Sequence, residues 1–155
     1  MMKRTAMAAI FILIACQSGR SEENHVPQPY QLTSRGVISE AATEAYKQAI
    51  ESCYQGTPGD SPHGPQILAC LKQQLRSESE TLAGAYSGTI SFLKSSSDQM
   101  AKLRNAQNAW IKFRDENCAF ARSVAPKGDA DEFFYDCLLR ATIDRRVELR
   151  SLVGD

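Results

Sequence analysis

From Ser39 to Gly154 the apolar residues recur three or four positions apart, and no stretch alternates with period 2 for more than a few residues. A period of 3.6 marks helices that bury one face, and a chain patterned this way throughout has nothing from which to build a sheet. The expected fold is all-α, an antiparallel bundle of about four helices arranged as two helical hairpins. A length of 155 residues suits a single domain.

The first helix is expected from an N-cap at Ser39 to about Tyr54, with Ala42, Ala45, Tyr46, Ala49, Ile50 and Cys53 along one side. Gly56 to Pro65 is too rich in Gly and Pro for any regular element. Pro65, suited to a first turn, opens a second helix with the stripe Leu68, Leu71, Leu75, Leu82, Tyr86, Ile90 and Leu93. Gly84 and Gly88 weaken that helix. Ser96 with Gln99 has the pattern of a capping box for a third helix, which carries Leu103, Ala106, Trp110, Phe113, Phe120 and Val124 and stops at Pro126 and Gly128. Asp129 with Glu132 repeats the pattern for a fourth, carrying Phe134, Leu138, Ala141, Leu149 and Leu152 and closed by Gly154.

Met1 to Cys16 has the organisation of an export signal. Lys3 and Arg4 precede an uncharged apolar run, Ala6 to Ala15, that is too short to cross a bilayer as a helix. Leu13-Ile14-Ala15-Cys16 resembles the bacterial lipobox, and the resemblance implies cleavage before Cys16 and lipidation of that cysteine. Two or more acyl chains would make the attachment stable. Ser18 stands where lipoproteins held at the inner membrane carry Asp, so the expected destination is the periplasmic side of the outer membrane. Residues 16–37, polar and carrying Pro27 and Pro29, are expected to be a flexible tether to a domain spanning 38–153.

Export gives the remaining cysteines a meaning. Cys53, Cys70, Cys118 and Cys137 are an even set in an oxidising compartment, which favours disulfides. Zinc is disfavoured, because no pair is spaced C-x₂-C and the two histidines, His25 and His63, lie in loop-like segments. No metal or cofactor is expected. Of three possible connectivities, Cys53–Cys70 and Cys118–Cys137 would pin each hairpin beside its turn. Each bridge closes a loop of roughly 20 residues and should stabilise by about 3 kcal/mol.

The third and fourth helices hold the most specific text, Gln107-x₂-Trp110-x₃-Arg114-Asp115-x₂-Cys118 followed by Cys137-x₄-Thr142-x₂-Arg145-x₂-Glu148-Leu149. Together with Cys70 and Leu82-x₃-Tyr86 it resembles the LprI-type lysozyme inhibitors, whose N-terminal domain was long catalogued as a domain of unknown function. The likeness covers about residues 50–152, and Ala83 departs from the family's Asn at its position. It implies an envelope protein that binds and blocks a lysozyme.

The same residues have structural work to do. Gln107, Trp110, Arg114 and Cys118 share one helix face. An antiparallel register anchored at Cys118–Cys137 puts Trp110 near Arg145, Gln107 near Glu148, and Arg114 near Ala141 and Thr142. Arg145 could then stack on Trp110, and Asp115 could accept from Arg140. A polar seam of this kind specifies which helices pair, a role that outweighs direct binding for Gln107, Trp110, Arg114, Asp115, Thr142, Arg145 and Glu148. Arg146 is expected at the surface.

Charge excludes one class of partner. The 18 basic and 18 acidic side chains balance, and removal of residues 1–15 leaves 16 against 18, a net charge of −2. Nucleic acid calls for a positive surplus that is absent here. Enzyme chemistry is disfavoured too, since no nucleophile–base pair, phosphate loop or metal-ligand cluster can be read in the domain. Two binding roles remain: an inhibitor that plugs a lysozyme's carboxylate-bearing cleft, or an envelope lipoprotein for another protein such as an effector toxin, a peptidoglycan enzyme or an assembly factor. Exposure alone suggests Ser61 and His63 in the Gly/Pro-rich loop, and Lys127 in the turn after the third helix, as partner contacts.

Overall fold

A computed structural model describes the backbone of residues 33–54 and 64–153 and the side chains of 40–53 and 64–153. It contains α1 (Thr33–Tyr54), α2 (Pro65–Phe92), α3 (Ser97–Val124) and α4 (Ala130–Ser151), with no strand among the described residues. The all-α bundle expected from the helical period is the fold. The lipobox with Cys16, most of the expected tether, and Ser61 and His63 lie outside the described residues.

Helix α1 starts six residues before the expected N-cap at Ser39, so residues 33–37, assigned to the tether, are helical. The physical reason is propagation. Once packing from Ala42 onward holds the helix, each added residue gains a hydrogen bond, and no proline between Pro29 and Pro58 stops it. Gly36, at about 1 kcal/mol against Ala, is too weak a breaker.

At α3, Ser96 is extended and its Oγ accepts from the Gln99 N–H at 3.4 Å. Only that half of the capping box forms, because the Ser96 N–H donates to Leu93 O at 2.8 Å. The second expected box does not form. Asp129 is the N-cap of α4 but makes no side-chain cap bond. Glu132 instead accepts from the Gly64 N–H at 2.6 Å, placing a carboxylate at the start of α2. A negative charge there satisfies an orphan donor and complements the helix dipole. Gly64 sits at φ +147°, a conformation residues with a Cβ rarely adopt.

Both disulfides form as expected, Cys53–Cys70 and Cys118–Cys137, each with Cα atoms 5.5 Å apart. They pin the α1–α2 and α3–α4 hairpins beside their turns. The hairpins meet in a way that periodicity does not reveal. Gly64 bonds to Glu132, Glu78 to Arg146, and Thr89 to the Leu149 carbonyl, so α2 and α4 run side by side in the same direction. Helix α4 is the hub, packed against the other three.

This hub explains which residues are buried. One core gathers Tyr46, Ile67, Leu71, Leu139 and Ile143 from α1, α2 and α4. A second gathers Leu82, Leu103 and Leu149 from α2, α3 and α4, with Trp110 packed against it. Ile67, Leu139 and Ile143 lie outside the single stripes expected for α2 and α4, yet all three are fully buried. A helix with neighbours on three sides buries more than one stripe. The converse correction falls on α3, where Phe113, Phe120 and Val124 are exposed, as is Leu152 at the end of α4. The α3 arc that meets α4 is centred on Leu103, Gln107 and Cys118, and the phenyl rings lie well round the helix from it.

Candidate functional site

The family-like residues converge on the α3–α4 seam. Gln107 and Cys118 are buried on α3, and Arg145 is buried on α4 at 8% exposure. The Arg145 Nε donates to Gln107 Oε1 at 2.9 Å, and its Nη1 donates to Glu148 Oε2 at 2.7 Å. Gln107 and Glu148 thus approach each other, as the register required, but through the guanidinium between them. A buried cation needs such partners, because its desolvation is repaid only where its donors are satisfied.

Trp110 takes a cation on its ring from each helix. The Arg114 guanidinium carbon lies 5.0 Å from the ring centroid and that of Arg145 5.9 Å, so the closer contact comes from its own helix, one turn on. Arg114 also directs Nε and Nη2, at 2.9 and 2.7 Å, to one carboxylate oxygen of Asp115. This corrects the expected Asp115–Arg140 pair. Adjacent on one helix, Asp115 meets Arg114 before any residue of α4 can reach it.

Arg140 turns instead to α1, its guanidinium carbon 3.9 Å from the Tyr46 ring centroid, while the Tyr46 hydroxyl donates to Asp136. Sequence gave no warning of this cluster, whose members lie on helices distant in the chain. Arg146, expected at the surface, is mostly covered and donates to Glu78 Oε2 at 2.7 Å, locking α4 to α2. Thr142 is fully buried, and its hydroxyl has no hydrogen-bond partner among the described residues. Lys127 is exposed in the α3–α4 turn.

The Tyr46 cluster has a pH signature. Burial, reinforced by the Asp136 carboxylate, pushes the phenol up from 10.0 to about 12. Because the folded state raises this pKa, the stabilisation from the protonated phenol is complete below pH 10 and is lost as pH rises through 10 towards 12. A tyrosinate absorbance titration should show one late-titrating tyrosine, absent in Tyr46→Phe, and loss of folded signal should accompany it. A Tyr46→Phe difference centred near pH 10 would refute the assignment.

Chemically, the seam is closed. Gln107 and Arg145 are buried and satisfy one another, which leaves neither aimed at solvent for a ligand. Among the described residues, no group of three or more His, Cys, Asp or Glu side chains could hold a metal ion. The arrangement ties α3 to α4 in one register.

A family model described as lysozyme inhibitor LprI matches residues 57–149. Searches of curated proteins and of solved structures each return no match. The matched span takes in α2, α3, the Cys118–Cys137 bridge and α4 as far as Leu149, and with them the whole Gln107–Arg145–Glu148 seam. The chain belongs to the LprI family of lysozyme inhibitors.

Proposed function

We propose that the protein is a cell-envelope lipoprotein, anchored through Cys16, that binds a peptidoglycan-cleaving enzyme of the lysozyme type and blocks it without catalysis of its own. The observation that carries this proposal is the family match over residues 57–149. The two disulfides support it, since such bridges persist in compartments outside the reducing cytosol. The lipobox-like Leu13-Ile14-Ala15-Cys16 supplies the anchor, and the periplasmic face of the outer membrane is the proposed location. No described helix is long and apolar enough to cross a membrane.

Inhibition here is steric and electrostatic. A rigid domain enters the cleft that holds the enzyme's carboxylate pair and excludes the polysaccharide. The test is a turbidity assay of cell-wall lysis by a chicken-type lysozyme with the purified full chain added at micromolar excess. Lysis should slow in proportion to inhibitor. Unchanged lysis would remove the inhibitory function and leave an envelope protein for some other partner. Mass spectrometry of the envelope fraction should find a diacylated or triacylated N-terminal Cys16.

A further inference from the structure

Three large apolar side chains on α3 are almost two-thirds exposed: Phe113 at 64%, Phe120 at 66% and Val124 at 64%. Spacings of seven and four put them on one stripe, turned away from the Leu103, Gln107 and Cys118 arc that meets α4. Phe133 of α4, 43% exposed, lies at the same end. The Cys118–Cys137 bridge sets an antiparallel register that brings it level with Arg122, between Phe120 and Val124. Exposed apolar side chains grouped in this way often mark a docking surface.

Lys127 aside, the basic side chains around the patch are paired within the chain. Lys112 pairs with Glu116, Arg114 with Asp115 and Arg122 with Asp131, while Glu132 is bound to the Gly64 N–H. Asp129 is the N-cap of α4, where the helix dipole offsets its charge. Lys127 is exposed at the tip of the turn and has no ionic partner among the described residues. The turn that carries it is short, with Pro126 before it, Gly128 at φ +108° after it, and the disulfide closing the hairpin. An exposed apolar stripe beside an exposed lysine with no ion pair is suited to a concave surface that is partly apolar and carries negative charge.

We infer that Phe113, Phe120, Val124 and Phe133, with Lys127 beside them, form the face that seats in the cleft of a peptidoglycan-cleaving glycosidase. The inference rests on the inhibitory function proposed above. Such a cleft carries a pair of carboxylates, to which Lys127 offers an ammonium, and binds sugar rings whose apolar C–H faces the phenyl groups replace. The buried seam behind α3 keeps the face rigid, so little ordering entropy is lost on docking.

Binding of the purified full chain to immobilised chicken-type lysozyme tests this, with thermal melting as a check on folding. Phe120→Ser should weaken binding about 30-fold or more, as expected for a hot-spot side chain, and Lys127→Glu about 10-fold. Phe113→Ser is a second probe of the stripe, and Glu80→Lys on the exposed side of α2 should change binding less than about twofold. All four substituted side chains are exposed, so melting should stay close to wild type. If the wild type inhibits and Phe120→Ser, Phe113→Ser and Lys127→Glu bind as tightly, the face is wrong while the inhibitory function stands. If the wild type neither binds nor inhibits, both fall. A dimer in sedimentation that Phe120→Ser disperses would assign the patch to a second copy of the chain and overturn the inference.

Discussion

Replacing Arg145 by alanine should lower the unfolding free energy by roughly 2–4 kcal/mol, and the size of the effect follows from what the residue leaves behind. Glu148 is half exposed and can turn to water, so its loss of a partner costs little. Gln107 cannot, being 9% exposed, and an orphaned buried acceptor costs about 1–3 kcal/mol. Loss of the Arg145 stem and of its contact with Trp110 adds roughly 1 kcal/mol. Arg145→Met keeps the stem and should cost the Gln107 part together with the cation–π share of the Trp110 contact. Pairing Arg145→Met with Gln107→Leu removes both polar groups and should restore most of the stability, because two apolar side chains of similar shape can replace a buried polar pair at little cost. Urea denaturation of the two single variants and the double variant gives the cycle. A double variant no more stable than Arg145→Met would show that the Gln107 bond is not the dominant contribution.

Removing the second disulfide with Cys118→Ala and Cys137→Ala should destabilise by about 3 kcal/mol, the loop-entropy value for a closed loop of this length. In a domain of this size that lowers the melting temperature by about 10 °C or more. Cys118 is fully buried and Ala leaves a small void, so the measured loss should lie at or above the entropic figure. The Cys53–Cys70 bridge closes a loop of nearly equal length, a separation of 17 residues against 19, and its removal should cost a similar amount. Calorimetry of the two double variants and of the reduced wild type measures both. A loss below about 1 kcal/mol for either bridge would mean the unfolded chain is already restrained there.

Much of the architecture could be read before any coordinates. The 3.6 period located α2, α3 and α4 closely, and Ser96 and Pro65 marked two helix starts because capping and proline geometry are local effects. Disulfide pairing was legible for a related reason, since hairpins joined by short connections bring only their own turn-proximal cysteines together. The polar seam was half legible. A register anchored on Cys118 and Cys137 brought Gln107, Trp110, Arg145 and Glu148 to one level, yet the choice of Arg145 as the shared donor depended on side-chain reach. Asp115, Arg146 and Glu132 went elsewhere than expected, each to a nearer partner or to a helix whose position periodicity could not supply.

What the amino-acid sequence determined on its own was the helical class, the two stapled hairpins and the family, all of which rest on short-range spacing and specific side chains. Only the tertiary structure decided how the hairpins meet. It made α4 the hub, laid α2 beside it in the same direction, buried Leu139 and Ile143 beyond any single stripe, and left Phe113 and Phe120 bare. Helix-to-helix packing depends on the summed shape of faces far apart in the chain. A periodic pattern says that a face must be covered, and it does not say by what.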